Sequence, residues 1–159
     1  MVKISLQMKA NLQNVTDVKA SGDDFRWYFK VKCLSCGEVS ENFIYICGLE
    51  RSAMPGSRGD ANLIIKCKLC SRVNSADLLA DTIKAYKAGG SQFQSIVTFE
   101  CRGLEIVEFS PRSGFVCVGE ESGTKFEDVD LTEMEWCDYD EKAGDSVAID
   151  ELEFKFVRA

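Results

Sequence analysis

The sequence contains no histidine at all. That absence removes the usual general base of serine, cysteine and metal-assisted hydrolases, and one of the common ligands of catalytic zinc. Carboxylates are left as the only acid–base candidates near neutral pH, so no enzyme is expected and no catalytic residue is assigned. Proline is scarce, with two in 159 residues, which argues against a long disordered tail. No window approaches the roughly 18 apolar residues of a membrane span. The start, MVKISLQMKANL, alternates apolar and polar residues and lacks the apolar stretch of a secretory signal. The protein is therefore placed in the cytoplasm, with the nucleus as a further compartment. In a reducing compartment the eight cysteines are read as metal ligands or core thiols instead of a disulfide framework. The triplets Asn14-Val15-Thr16 and Arg58-Gly59-Asp60 become coincidences on the same argument.

The length suits one domain, residues 1–159, able to bury an adequate core. The net charge of -7 is unevenly spread: residues 1–90 carry 13 Lys or Arg against 9 Asp or Glu, and residues 91–159 carry 6 against 17. A strongly acidic second half disfavours a phosphate backbone, so a protein partner is expected in place of nucleic acid, with the chain itself a monomer.

Period-two alternation runs through Val2, Ile4, Leu6, Met8, Ala10 and Leu12, and again through Phe25, Trp27, Phe29 and Val31 into Cys33. This is the pattern of half-buried strands. Further strand-like runs cover 42–46, 62–67, 93–101, 104–109, 114–118 and 152–157. The stretch 75–87 is open to both readings, because Leu78, Leu79, Thr82, Ile83 and Tyr86 would share a helical face behind a Ser75 cap. Gly89-Gly90 marks a seam between an N-terminal half, 1–90, and a C-terminal half, 91–159. At an offset of 68, Phe25, Phe29, Val31 and Cys33 align with Phe93, Val97, Phe99 and Cys101. The fold class is all-β: two related β half-modules forming a sandwich or pseudo-barrel. Phe25, Trp27 and Phe29 could stack on bases, but their alternation is that of a core-facing strand.

The sharpest chemical signal is Cys33-Leu34-Ser35-Cys36-Gly37 followed, after 30 intervening residues, by Cys67-Lys68-Leu69-Cys70-Ser71. A two-residue spacer lets one turn aim two sulfurs at one ion, and two such knuckles complete the four thiolates of a structural zinc site. One Zn2+ per chain, held by Cys33, Cys36, Cys67 and Cys70, is the reading. Neither spacer contains proline and neither motif opens a helix, which speaks against a redox pair. Lys30, Lys32, Lys66, Lys68 and Arg72 stand close in sequence and would offset the charge of the cluster. Cys47, Cys101, Cys117 and Cys137 share no CxxC spacing and are read as small core or surface residues. Asp138, Asp140 and Glu141 read as a solvated turn, and not as a calcium loop, since Ala143 stands where glycine is required. From Glu127 to Glu141, Glu127, Asp128, Asp130, Glu133, Glu135, Asp138, Asp140 and Glu141 interleave with Val129, Leu131, Met134 and Trp136, four apolar anchors that would leave all these carboxylates on an exposed acidic ridge.

The segments KISLQMKANLQNVT, DFRWYFKVKC, CLSCGE, GSRGDAN, KCKLC, FECRGLE, GFVCVGEESGTKF and WCDYDEK together resemble, from end to end, the small eukaryotic CXXC-motif-containing zinc-binding proteins. The resemblance implies an all-β protein of two related halves with one zinc on Cys33, Cys36, Cys67 and Cys70, and no established reaction. It also favours strand over helix near Ile83, and gives Cys47, Cys117 and Cys137 no part in metal binding. The functional expectation is a non-catalytic protein-interaction module with a structural zinc. The alternative is a metal-handling or thiol-redox factor using labile CxxC thiolates, and a zinc-ribbon RNA binder is a third reading.

Overall fold

The computed structural model describes residues 2–56, 58–90 and 92–159. In chain order its strands are β1 (Val2–Gln13), β2 (Val15–Ala20), β3 (Arg26–Cys33), β4 (Ile44–Cys47), β5 (Ser52–Ala53), β6 (Asp60–Ala61), β7 (Leu63–Lys66), β8 (Val73–Leu79), β9 (Gln94–Arg102), β10 (Leu104–Ser110), β11 (Phe115–Gly119), β12 (Lys125–Val129), β13 (Trp136–Asp140) and β14 (Asp145–Arg158). A six-stranded antiparallel sheet runs β13-β14-β1-β9-β8-β7. It curls as a half-barrel, accompanied by the three-stranded sheets β10-β3-β4 and β12-β11-β2 and the small pair β5-β6. Among the described residues no helix is long and apolar enough to cross a membrane.

The alternation of β1 and β3 does what it implies. Ile4, Leu6 and Met8 are buried, as are Trp27, Phe29 and Val31. Aromatic rings then stitch the small sheet to the large one: Phe29 packs edge-on against Phe99 of β9 at 4.9 Å between centroids and Phe156 of β14 at 6.0 Å. Its third neighbour is Phe109 of β10 at 5.4 Å. Trp27 meets Phe25 at 4.6 Å and Phe99 at 6.1 Å. These side chains are core residues, not a base-stacking platform.

The order of the large sheet is palindromic. Exchanging β1 with β9, β2 with β10, β3 with β11, β4 with β12, β7 with β13 and β8 with β14 leaves the central β1·β9 pairing in place and turns every other pairing of these strands into another observed pairing. The two half-modules are thus related strand by strand. The offset of 68 aligned β3 with β9, whereas the pairings relate β3 to β11 and β9 to β1. Alternating strands resemble one another by composition, and the echo picked the wrong pair.

At 75–87 the chain continues as strand through Leu79, makes a single 3-10 turn over Ala80–Thr82, and pairs again at Tyr86 with Val18. Ser75 caps no helix and lies buried within β8. The 136–142 stretch is also not simply a turn: Trp136–Asp140 is strand β13, and the turn follows it. Of the four apolar anchors, Val129 and Leu131 are buried and Trp136 half-buried, but Met134 is 40 % exposed. It occupies a turn at φ 63°, which points its side chain away from the core its neighbours fill.

Candidate metal centre

Each CxxC motif forms the turn of a hairpin. Cys33 ends β3, its N–H donates to the Glu38 carbonyl at 2.8 Å, and the Gly37 N–H donates back to the Cys33 carbonyl at 2.8 Å. That closure needs Gly37 at φ 80°, a conformation open to glycine without steric cost. Cys67 follows β7 in the same manner: its N–H donates to Arg72 O and the Ser71 N–H to Cys67 O, both at 2.9 Å. Here Ser71 takes the left-handed conformation, at φ 64°. A third tie fixes the first knuckle against the bend between β9 and β10, where Leu34 N–H donates to Gly103 O at 3.0 Å.

The two turns face each other. Cys33 Sγ lies 3.7 Å from Cys70 Sγ, and Cys36 Sγ lies 3.5 Å from Cys67 Sγ. All four sulfurs fall within 4.8 Å of one another. A tetrahedron with zinc–sulfur bonds of about 2.3 Å has sulfur–sulfur edges of about 3.8 Å, so the cluster fits a single zinc ion. The set is chemically uniform, four soft thiols with no oxygen ligand among them, which suits zinc over calcium or magnesium. Cys33 and Cys67 are buried where the strands end, while Cys36 and Cys70 are exposed at the turns.

Hydrogen bonds prepare the thiols for a cation. The Asn74 side chain, then the Cys36 backbone amide, hold the Cys33 thiol down at about 6. The amides of Cys70 and Leu69 lower that of Cys67. Cys36 has an opposing backbone bond from Glu38, yet desolvation and the other three sulfurs push it up to about 12. Cys33 and Cys67 are thus both shifted toward the thiolate that a metal needs, and a bound cation would displace the proton of the crowded Cys36. Asn74 is the site residue that sequence reasoning missed. It is buried in β8 at 3 % exposure, and nothing in its spacing distinguishes it from any other strand asparagine. An added Cβ at Gly103 would collide with its Oδ1, so glycine there gives Asn74 its room.

The basic surround is only partly free to compensate the cluster. Lys30 reaches Glu108 at 3.8 Å and Lys32 reaches Glu105 at 4.0 Å, pairing across β3 and β10. Lys66 and Lys68 instead line a cleft of about 200 Å3 beside the sulfurs, walled by Val31, Val39, Ile44 and Ile65. Leu34 and Leu69, the apolar residues within the two spacers, stand exposed at the tips.

The remaining cysteines lie outside the cluster. Cys47, Cys101 and Cys117 are buried and Cys137 is exposed. Burial pushes the Cys101 and Cys117 thiols up to about 12, which makes them poor nucleophiles. The three carboxylates of the 138–141 stretch part company. Asp138 and Glu141 are exposed, whereas Asp140 is 1 % exposed and, contrary to the sequence expectation, is no part of the outward-facing acidic ridge. It accepts hydrogen bonds from the Ser122 hydroxyl, from Thr124 Oγ1 at 2.9 Å, and from the amides of Lys142 at 3.1 Å and Ala143 at 3.2 Å. These bonds, the Ser122 hydroxyl foremost, hold its carboxyl below the usual range.

The sequence pattern of the family described as CXXC motif containing zinc binding protein, eukaryotic, matches residues 5–157. Similar proteins of that description include those of Mus musculus, 54 % identical over 159 residues, and Homo sapiens, 51 % identical over 159 residues; each comparison covers 99 % of both chains. Among solved structures, the crystal structure of C1orf123 superposes with a TM-score of 0.94 at 51 % identity, covering 99 % of each chain. A hypothetical protein from Plasmodium falciparum superposes with a TM-score of 0.87 at 26 % identity, covering 99 % of this chain and 100 % of that one. A family match over nearly the whole length agrees with the four-sulfur cluster that two facing hairpin turns build: the chain belongs to the eukaryotic CXXC motif containing zinc binding proteins.

Proposed function

We propose that Cys33, Cys36, Cys67 and Cys70 are the ligands of one structural zinc, and that the protein is a non-catalytic interaction module of the cytoplasm or nucleus, acting as a monomer on a protein partner. The observation that carries the reading is the convergence of four sulfurs within 4.8 Å at the turns of two hairpins from different sheets. Four thiolates fill the tetrahedral shell of zinc and leave no position for a reacting water. The metal's work at such a site is to join β3-β4 to β7-β8. The exposure of Cys36 and Cys70 is what favours the second reading, a metal-handling or thiol-redox factor. The two separate on exchange rate: a chromophoric chelator should draw zinc slowly from the folded protein and rapidly after denaturation. Rapid release from the native state would move the assignment to metal handling.

The interaction surface is the acidic ridge. Glu127, Asp128, Asp130, Glu133, Glu135 and Asp138 are all exposed, held outward by buried Val129 and Leu131. Such a surface steers a basic partner, through charges screened over about 8 Å at physiological salt. Replacing Glu133, Glu135 and Asp138 with Gln, Gln and Asn should slow association with captured partners several-fold and flatten its dependence on salt, with zinc content unchanged. Association that survives both the substitutions and high salt undiminished would move the contact to the apolar tips at Leu34 and Leu69.

A further inference from the structure

The exchange of strands that relates the two half-modules also relates their turns, down to individual hydrogen bonds. Cys33 N–H to Glu38 O and Gly37 N–H to Cys33 O, both 2.8 Å, have counterparts in Gly119 N–H to Thr124 O at 2.8 Å and Gly123 N–H to Gly119 O at 2.9 Å. Ser71 N–H to Cys67 O at 2.9 Å is matched by Gly144 N–H to Asp140 O at 2.8 Å. The left-handed residues correspond as well: Gly37 at φ 80° with Gly123 at 71°, and Ser71 at 64° with Gly144 at 74°. Even the tie to the opposite half repeats, since Leu34 N–H donates to Gly103 O at 3.0 Å and Glu120 N–H donates to Asn14 O at 2.9 Å. The positions of Cys33, Cys36, Cys67 and Cys70 therefore fall on Gly119, Ser122, Asp140 and Ala143. Gly119 and Asp140 are buried like Cys33 and Cys67, while Ser122 and Ala143 are half-buried where Cys36 and Cys70 are exposed.

One hydroxyl and one carboxylate do not make a zinc site, but the space is filled. The Asp140 carboxylate reaches across from its own turn to Ser122 and Thr124 of the facing turn, while its own turn supplies the Lys142 and Ala143 amides. A Cβ added to Gly119 would run into that carboxylate and the Ser122 hydroxyl. The volume taken in the first half by the Cys33 side chain is thus taken in the second by Asp140.

We propose that the second half-module holds a metal-free counterpart of the zinc centre, in which Asp140 ties the 119–123 turn to the 140–144 turn as zinc ties the 33–37 turn to the 67–71 turn, and that cysteines at Gly119, Ser122, Asp140 and Ala143 turn it into a second zinc site. The inference rests on the structural reading of the first centre and deepens it. A clamp of one carboxylate and two hydroxyls can neither pass on a metal nor cycle through a disulfide, so the task the two centres share is mechanical.

Two full-length variants test it. In the first, Gly119→Cys, Ser122→Cys, Asp140→Cys and Ala143→Cys are combined, and Co2+ is titrated into metal-free protein while thiolate charge-transfer and d–d absorbance are followed. Saturation at two equivalents per chain, against one for the parent, is expected; a folded variant that saturates at one overturns the proposal. In the second, Asp140→Ala is expected to lower the melting temperature and speed amide exchange at least tenfold in both the 119–124 and 140–144 turns, with one zinc retained. Melting at the parent temperature with both turns still protected overturns the proposal, whether or not the four-cysteine variant folds. A parent chain that binds no metal would defeat the assignment of Cys33, Cys36, Cys67 and Cys70 and leave the Asp140→Ala result to decide the second centre.

Discussion

Cys33→Ser and Cys67→Ser are each expected to yield protein without zinc and without a cooperative melting transition, whereas Cys137→Ser keeps both. Structural zinc on thiolates contributes on the order of 10 kcal/mol, comparable to the whole stability of a domain, about 5–15 kcal/mol. Losing one ligand leaves three thiols crowded at the turns, with Cys36 Sγ 3.5 Å from Cys67 Sγ in Cys33→Ser and Cys33 Sγ 3.7 Å from Cys70 Sγ in Cys67→Ser, and no ion to join the two knuckles. Serine supplies a hard, weakly acidic hydroxyl in place of a thiolate and does not restore the site. Cys137 stands exposed on β13, outside the cluster. Zinc per chain by elemental analysis, alongside calorimetry, reads the outcome. Equal zinc loss in all three variants, or full zinc in Cys33→Ser, would reject the ligand assignment.

Phe29→Ala is the second large effect, expected to cost about 3–5 kcal/mol and to lower the melting temperature by roughly 6–20 °C for a chain of this size. Phe29 is fully buried, and its ring touches Phe99, Phe109 and Phe156. Those rings belong to β9, β10 and β14, so removing Phe29 opens a cavity where the small sheet meets the large one. The zinc ligands are untouched, and the variant should retain its metal below the transition. Tyr139→Ser on exposed β13 serves as the control, since surface changes of this kind fall within about 0.5 kcal/mol. A Phe29→Ala protein that melts with the control would mean that the rings do not couple the sheets.

The elements that could be read from the sequence are those in which one face is buried without interruption. β3 is the clear case, with every second residue from Trp27 to Cys33 buried, whereas β1 also buries Ser5 and β9 buries Ile96 to Phe99 in one run. β2 and β12 do not qualify: Asp17 at φ 56° and Asp128 at φ 54° break the two-residue period, so that Val15 and Val18, like Phe126 and Val129, are buried three apart. Irregular pairing of this sort is invisible to a pattern that assumes a regular pleat. The metal centre was legible because each knuckle is local, four residues whose spacing alone specifies the chemistry. Asn74 and Asp140 were not. Their roles come from hairpins brought face to face by the sheet, and Asp140 sat in a stretch rich in carboxylates, where burial of one of them leaves no mark on composition.

The position of β1 also sets the tempo at which this chain can fold. One edge of β1 is covered by β9 and the other by β14, with Ser5 opposite both Thr98 and Val157. A nascent chain emerging from a ribosome therefore presents β1 long before either neighbour exists. Contacts so distant along the chain make for high contact order, and domains of that kind fold in milliseconds to seconds, not microseconds. Until β14 arrives, the backbone amides along one side of β1 remain open to any passing strand, which is when aggregation competes and a chaperone has most to contribute.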